Sequence, residues 1–164
     1  MTPVTAERAR ELLTYDPLTG EFTWRVYRSR GAKAGWKAGF IIASGGPRLG
    51  IKIDGRIYQA GRLAWLMMHG KHPEHEVDHI DGDPLNNRIA NLRDVPHRVN
   101  QQNIHGPNSR NGLGWLGVKR LKGRFYAVIG VDRVYRSLGG FATPEEAHAA
   151  YLAAKRELHE GCTI

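Results

Sequence analysis

The sequence predicts an α+β protein made of small modules in series: a mixed N-terminal region, a strand–loop–strand–helix core, and a three-stranded antiparallel sheet packed on one helix. Three observations predict it. Short runs rich in β-branched and aromatic residues end in pairs such as Asp54-Gly55 and Lys122-Gly123, which is hairpin chemistry. Helical periodicity is confined to brief stretches with recognisable caps. The 164 residues, 41% of them hydrophobic, suffice for one ordinary domain or two small ones.

Taken in order, residues 5–14 read as a short helix with Thr5 as N-cap and Leu12 and Leu13 on one face. The run from Tyr15 to Gly20 is turn chemistry, and Glu21 to Tyr27 reads as a strand. Glycines crowd residues 31–50, so loops around short strands are expected there. Gly50 to Tyr58 alternates Ile51 and Ile53 before Asp54-Gly55 and forms a hairpin. Residues 60–69 form a helix with Leu63, Leu66 and Met67 inward, closed by Gly70. Val77 to Ile80 is a strand, Asp81 to Pro84 a turn, Ile89 to Leu92 a returning strand, and Pro96 opens a helix through about Asn103. Residues 105–114 have the composition of a flexible linker. Strands follow at 117–119, 124–130 and 135–139, with turns at Lys122-Gly123 and near Asp132. Thr143-Pro144-Glu145-Glu146 is a capping box with proline at the first helical position. Ala147, Ala150, Tyr151, Ala154 and Leu158 mark the buried face of the last helix.

Charge narrows the function. The chain holds 24 Lys and Arg against 16 Asp and Glu, a formal charge of +8. That excess suits a polyanion, most often nucleic acid. It is concentrated in two arms, residues 1–64 and 110–164, around a mildly acidic centre with six of the eight histidines: His69, His72, His75, His79, His97 and His105. The single cysteine, Cys162, excludes an internal disulfide framework. No apolar run approaches the roughly 18 residues of a membrane span. The N-terminus lacks the apolar core of a signal peptide, so a cytoplasmic location is expected, that of the host cell if the gene is phage-borne. No obligate protein partner is evident.

The stretch from Val77 to Asn103 carries the chemistry. Asp78-His79 is followed by Asn91-Leu92-Arg93 and then by Asn100, on a β–loop–β–α reading. This spaced pattern resembles the HNH nuclease motif of the phage homing endonucleases, in the form with Asn as the last ligand. The Arg62-Leu63-Ala64-Trp65 helix and the Asp81-Gly82-Asp83 turn resemble the same family. The resemblance implies a ββα-metal nuclease core over residues 59–104 and double-stranded DNA as the partner. A neutral imidazole is the natural base near pH 7, and His79 is that candidate. A hard divalent cation prefers oxygen donors: Asp78 offers a carboxylate and Asn100 an amide oxygen, with Mg²⁺ expected and Mn²⁺ able to substitute. By resemblance, Asn91 ties the strands together and orients the loop bearing His79. Asn87 also matches the family's loop, without a role. Asp81 and Asp83 read as turn formers. The series His69, His72, His75 and His79 raises zinc, but structural zinc usually recruits cysteine and none is near.

Trp115-Leu116-Gly117-Val118, Arg124 to Ile129, Ser137 to Phe141, Thr143 to Ala147 and Ala150-Tyr151 resemble the AP2 DNA-binding domain. The resemblance assigns residues 115–164 to such a module, whose sheet lies in the major groove. Lys119, Arg120, Arg124, Arg133 and Arg136 are the expected DNA contacts, with strand register deciding which point outward. Residues 1–58 form the N-terminal region, a second DNA surface or a structural element. The expectation is therefore a metal-dependent HNH endodeoxyribonuclease that leaves 5′-phosphate and 3′-hydroxyl ends. The alternatives are an AP2-type regulator with an inactive nuclease core and a structural zinc protein.

Overall fold

Polar loop chemistry and short apolar runs fold into many small antiparallel elements, a mixed α+β arrangement. The computed structural model describes residues 3–107 and 111–164. The chain forms two compact units, Met1–Pro96 and His97–Ile164.

In the first unit the Thr5 hydroxyl accepts the Arg8 N–H at 3.2 Å and starts helix α1, Ala6–Leu12. The expected helix to residue 14 ends earlier. Leu13 is already extended, because strand β1, Leu13–Tyr15, pairs antiparallel with β2, Phe22–Trp24. Both leucines are buried all the same, Leu12 by the helix and Leu13 by the strand. Between β1 and β2, the Asp16 carboxylate accepts the Leu18 N–H and the Thr19 hydroxyl, at 2.9 and 2.8 Å.

Strands β3, Phe40–Ile42, β4, Arg48–Ile53, and β5, Arg56–Gln59, form a sheet in that order. Asp54 and Gly55 join β4 to β5 with φ of 47° and 85°, the paired positive values that match hairpin twist. Helix α2, Ala60–His69, lays Leu63, Ala64, Leu66 and Met67 on this sheet, and the Gly70 N–H caps it on Leu66 O. Strands β6, Glu76–His79, and β7, Leu92–Val95, close the unit as a two-stranded ladder. The second strand was expected at 89–92. Ile89–Asn91 is instead a single 3₁₀ turn, because the Ile89 N–H goes to Pro17 O and the Asn91 side chain is committed to the loop before it. One apolar core runs from Val4 to Leu92, with Leu13, Phe22, Ile51, Ile53, Leu63 and Leu66 almost fully buried. The described part of the N-terminal region, from Val4 to Tyr58, thus shares a core with α2 and the ladder. Each such side chain contributes about 1.5–3 kcal/mol by burial.

The second unit begins with α3, His97–Asn100, one helical turn continued by looser turns rather than the regular helix expected to 103. Its neighbours are tied to the C-terminal tail. Gln102 accepts the Gly161 N–H at 2.9 Å, Thr163 donates to Asn103, and the buried Lys155 ammonium donates to Ile104 O. Part of the expected linker 105–114, residues 108–110, lies outside the described residues.

Strands β8, Val118–Leu121, β9, Arg124–Val131, and β10, Val134–Phe141, form an antiparallel sheet in the order β10-β9-β8. Lys122-Gly123 and Asp132-Arg133 turn the two hairpins. Helix α4, Pro144–Leu158, opens with the full capping box: Thr143 accepts the Glu146 N–H and the Glu146 carboxylate accepts the Thr143 N–H. Ala147 and Tyr151 bury against Val118, Ala127 and Ile129. Leu158, expected inward, is 36% exposed because the helix ends on it.

Candidate active site

Asp78 and His79 end β6, and strand alternation turns their side chains to opposite faces. Asp78 is 6% exposed. Register places it opposite Arg93 on β7, whose Nε and Nη2 both donate to Asp78 Oδ2 at 2.8 Å. His79 is half-buried, and its Nε2 stands 3.2 Å from Oδ1 of Asn87, which is 2% exposed.

Asn91 stands at the foot of β7. Its Nδ2 donates to Asp81 Oδ1 and to Asn86 O, its Oδ1 accepts the Asp81 N–H, and its carbonyl accepts the Ile80 N–H. One amide therefore holds both ends of the loop that leaves β6. Within that loop the carboxylates of Asp81 and Asp83 accept the N–H groups of Asp83 and Leu85, so both act as turn formers. Burial disfavours the Asp81 carboxylate. Hydrogen bonds from the Asp83 amide, Asn86 and Asn91 outweigh it and hold the carboxyl below its ordinary value.

Asp78, His79 and Asn91 are thus gathered on one ladder and its loop. Asn100 ends α3 and belongs to the second unit. Sequence reasoning left Asn87 without a role and missed Arg93 as the partner of Asp78. The Asn86-Asn87 pair in a polar loop was a signal for the first. Only strand register reveals the second.

The other central histidines have separate partners. His69 packs against Trp65 in a tilted pair with ring centroids 4.1 Å apart, His72 Nε2 meets Val4 O at 2.8 Å, and His75 Nδ1 lies 3.8 Å from Asp94. Among the described residues, no group of three or more His, Cys, Asp and Glu is placed to hold a metal ion. The donor types at the ladder suit a hard divalent cation, which takes carboxylate and amide oxygens and keeps several waters. A cation at Asp78 would share that carboxylate with the Arg93 guanidinium.

The β8–β10 sheet presents the other expected residues, and all five are exposed. Directly paired residues share a face. Val118 pairs with Ala127 on the helix side, so Lys119, opposite Tyr126, points to the open face, as does Arg124 opposite Leu121. Arg120 pairs with Phe125 and Arg136 with Ile129, which puts both on the helix side. The Arg120 guanidinium accordingly stands 5.7 Å from the Phe125 ring centre, whereas Lys119 Nζ lies 5.6 Å from Tyr135 on the open face. Arg133 sits in the hairpin turn at φ 66°.

Residues 58–102 match the model of the HNH endonuclease family, well under half of the chain. The matched segment contains α2, the β6–β7 ladder and α3, and supports a nuclease, a hydrolase acting on DNA. A search of the curated proteins found no match, and a search of the solved structures found none. No helix among the described residues is long and apolar enough to cross a membrane.

Proposed function

We propose that the chain is a metal-dependent HNH endodeoxyribonuclease of the phage homing type, hydrolysing phosphodiester bonds in double-stranded DNA to leave 5′-phosphate and 3′-hydroxyl ends. The observation that carries the reading is the Asp78-His79 pair at the end of β6, its imidazole held by a buried asparagine, within the segment that matches HNH endonucleases.

His79 removes the proton from the attacking water, work for which a neutral imidazole is suited near pH 7. Asn91 keeps the loop after His79 in one conformation through its bonds to Asp81 and Asn86. Asp78 and, by the family resemblance, Asn100 would hold a divalent cation, Mg²⁺ with Mn²⁺ as substitute; bound there, it supplies Lewis-acid stabilisation of the phosphate and the 3′ oxygen.

The β8–β10 sheet is the AP2-like recognition module in this reading. Lys119 and Arg124 on its open face and Arg133 at its turn meet phosphates and base edges, while Arg120 and Arg136, on the helix side, contribute from the margin. The net charge of +8 supports a DNA partner.

One observation favours a second reading, a DNA-binding regulator with an inactive nuclease core: the Asp78 carboxylate is held by Arg93, which competes with a cation for it. Nicking of supercoiled plasmid with Mg²⁺ or Mn²⁺, wild type beside His79→Ala, separates the two. Nicking by wild type alone, with equal DNA affinity, supports the nuclease. Equal binding and no nicking by either protein supports the regulator.

A further inference from the structure

We infer that Asn87 is a positioning residue for the reaction: its side-chain oxygen fixes the Nε2–H tautomer of His79, so that the ring's basic lone pair lies on Nδ1. The inference deepens the nuclease reading and rests on it.

The orientation of the Asn87 amide argues for this tautomer. Asn87 Nδ2 donates to Leu85 O at 3.1 Å, which turns Oδ1 toward His79. An amide oxygen only accepts, so the 3.2 Å contact is a hydrogen bond when Nε2 carries the hydrogen. In the neutral ring the other nitrogen then holds the lone pair.

Two distant segments, residues 15–20 and helix α2, hold Asn87 in place. The Tyr15 hydroxyl donates to Asn87 O at 2.7 Å. The turn after β1 lies directly on the Asn87 backbone: a Cβ at Gly20, where φ is +76°, would stand 2.6 Å from Asn87 C and Arg88 N. Helix α2 covers the pair at Gly61, where a Cβ would stand 3.2 Å from Asn87 Oδ1 and 3.5 Å from His79 Cε1. A buried asparagine with a purely local role would direct its oxygen to a nearby backbone N–H. This one directs it to the ring at the end of β6. The N-terminal region thereby acquires a function: residues 15–20 brace the side chain that aims the base.

The test reads the tautomer and the rate separately on the full chain. Nitrogen-15 NMR of the imidazoles, with His79 assigned through His79→Gln, reports which nitrogen carries the hydrogen without DNA or metal. The expected result is Nε2–H in the wild type and a tautomer mixture in Asn87→Ala. In plasmid nicking, Asn87→Ala should lower kcat about 10- to 100-fold, the scale of a misaligned catalytic group, while KM stays within about twofold. Tyr15→Phe, which removes one hydroxyl, should stay folded and lower kcat in the same direction by less, and it decides the matter if Asn87→Ala does not fold. An Nδ1–H ring in the wild type would overturn the inference. So would wild-type rates in folded Asn87→Ala or, where that variant is unfolded, in Tyr15→Phe. Failure of the wild type to cut any DNA would overturn the nuclease reading instead, and the tautomer signal would still decide whether Asn87 sets the ring.

Discussion

Arg93 and Asp78 face each other across the β6–β7 ladder, and two guanidinium N–H groups converge on a single carboxylate oxygen at 2.8 Å each. The pair belongs to the strands that carry the candidate site, and Asp78 is nearly excluded from water. Its geometry therefore bears on stability and, in the proposed nuclease, on the cation that Asp78 would hold.

Arg93→Ala removes the guanidinium from a buried carboxylate. Breaking a buried pair by removing one member costs about 3–5 kcal/mol, and the partial exposure of Arg93 together with the other interactions of Asp78 argues for the lower end. Urea unfolding should show a lower midpoint with an unchanged slope. Arg93→Lys should not restore it, because an ammonium lacks the fixed fork of donors.

Asn91→Ala deletes the side-chain bonds to Asp81 N–H, Asp81 Oδ1 and Asn86 O. The loop has exposed residues, so a net loss of about 1–2 kcal/mol is expected. Amide exchange should accelerate at Asp81 and its neighbours. Nicking should slow while the affinity for Mn²⁺ is retained.

Burial, helped by the charge of Asp16, pushes the Tyr15 hydroxyl from its ordinary 10.0 up to about 12. The unfolded chain thus ionises first. The stability tied to the neutral phenol is intact below pH 10 and is lost as pH rises through about 12. The sign reverses at Asp81, whose lowered value gives stability above the ordinary carboxyl range that is lost as pH falls through the lowered value. Unfolding in urea across alkaline pH should show the first effect in wild type and a flatter curve in Tyr15→Phe.

The two faces of the β8–β10 sheet make a directional prediction. Lys119→Ala and Arg124→Ala should weaken DNA binding more than Arg120→Ala and Arg136→Ala. Each lost phosphate contact should reduce the slope of log affinity against log salt by about 0.9. Fluorescence anisotropy at several salt concentrations checks this, and equal losses from both faces would contradict the assigned register.

Much of this was legible in the residues. Asp54-Gly55 and Lys122-Gly123 announce their hairpins, Thr143 to Glu146 announces the start of α4, and the period of Leu63, Leu66 and Met67 announces α2, because these signals are local. Leu13 was misread as helical because tertiary pairing with Trp24 overrides its propensity. The returning strand was displaced to 92–95 because the pattern Leu-Arg-Asp-Val hides it: Arg93 and Asp94 are polar residues used for Asp78 and for the His75 and Glu74 amides. Asp78 and His79 stood out by type and spacing. Arg93 and Asn87 did not, since a cross-strand ion pair and a loop-to-ring hydrogen bond exist only once register and loop path are fixed.

The proposed nuclease hydrolyses DNA with His79 as base. The most direct measurement is incubation of a genomic DNA pool with Mg²⁺ or Mn²⁺ and the full-length protein, wild type and His79→Ala in parallel, followed by sequencing of the ends. Wild type alone should leave 5′-phosphate and 3′-hydroxyl ends at recurring positions. The same ends at the same frequency from His79→Ala, or 3′-phosphate ends from wild type, would contradict it.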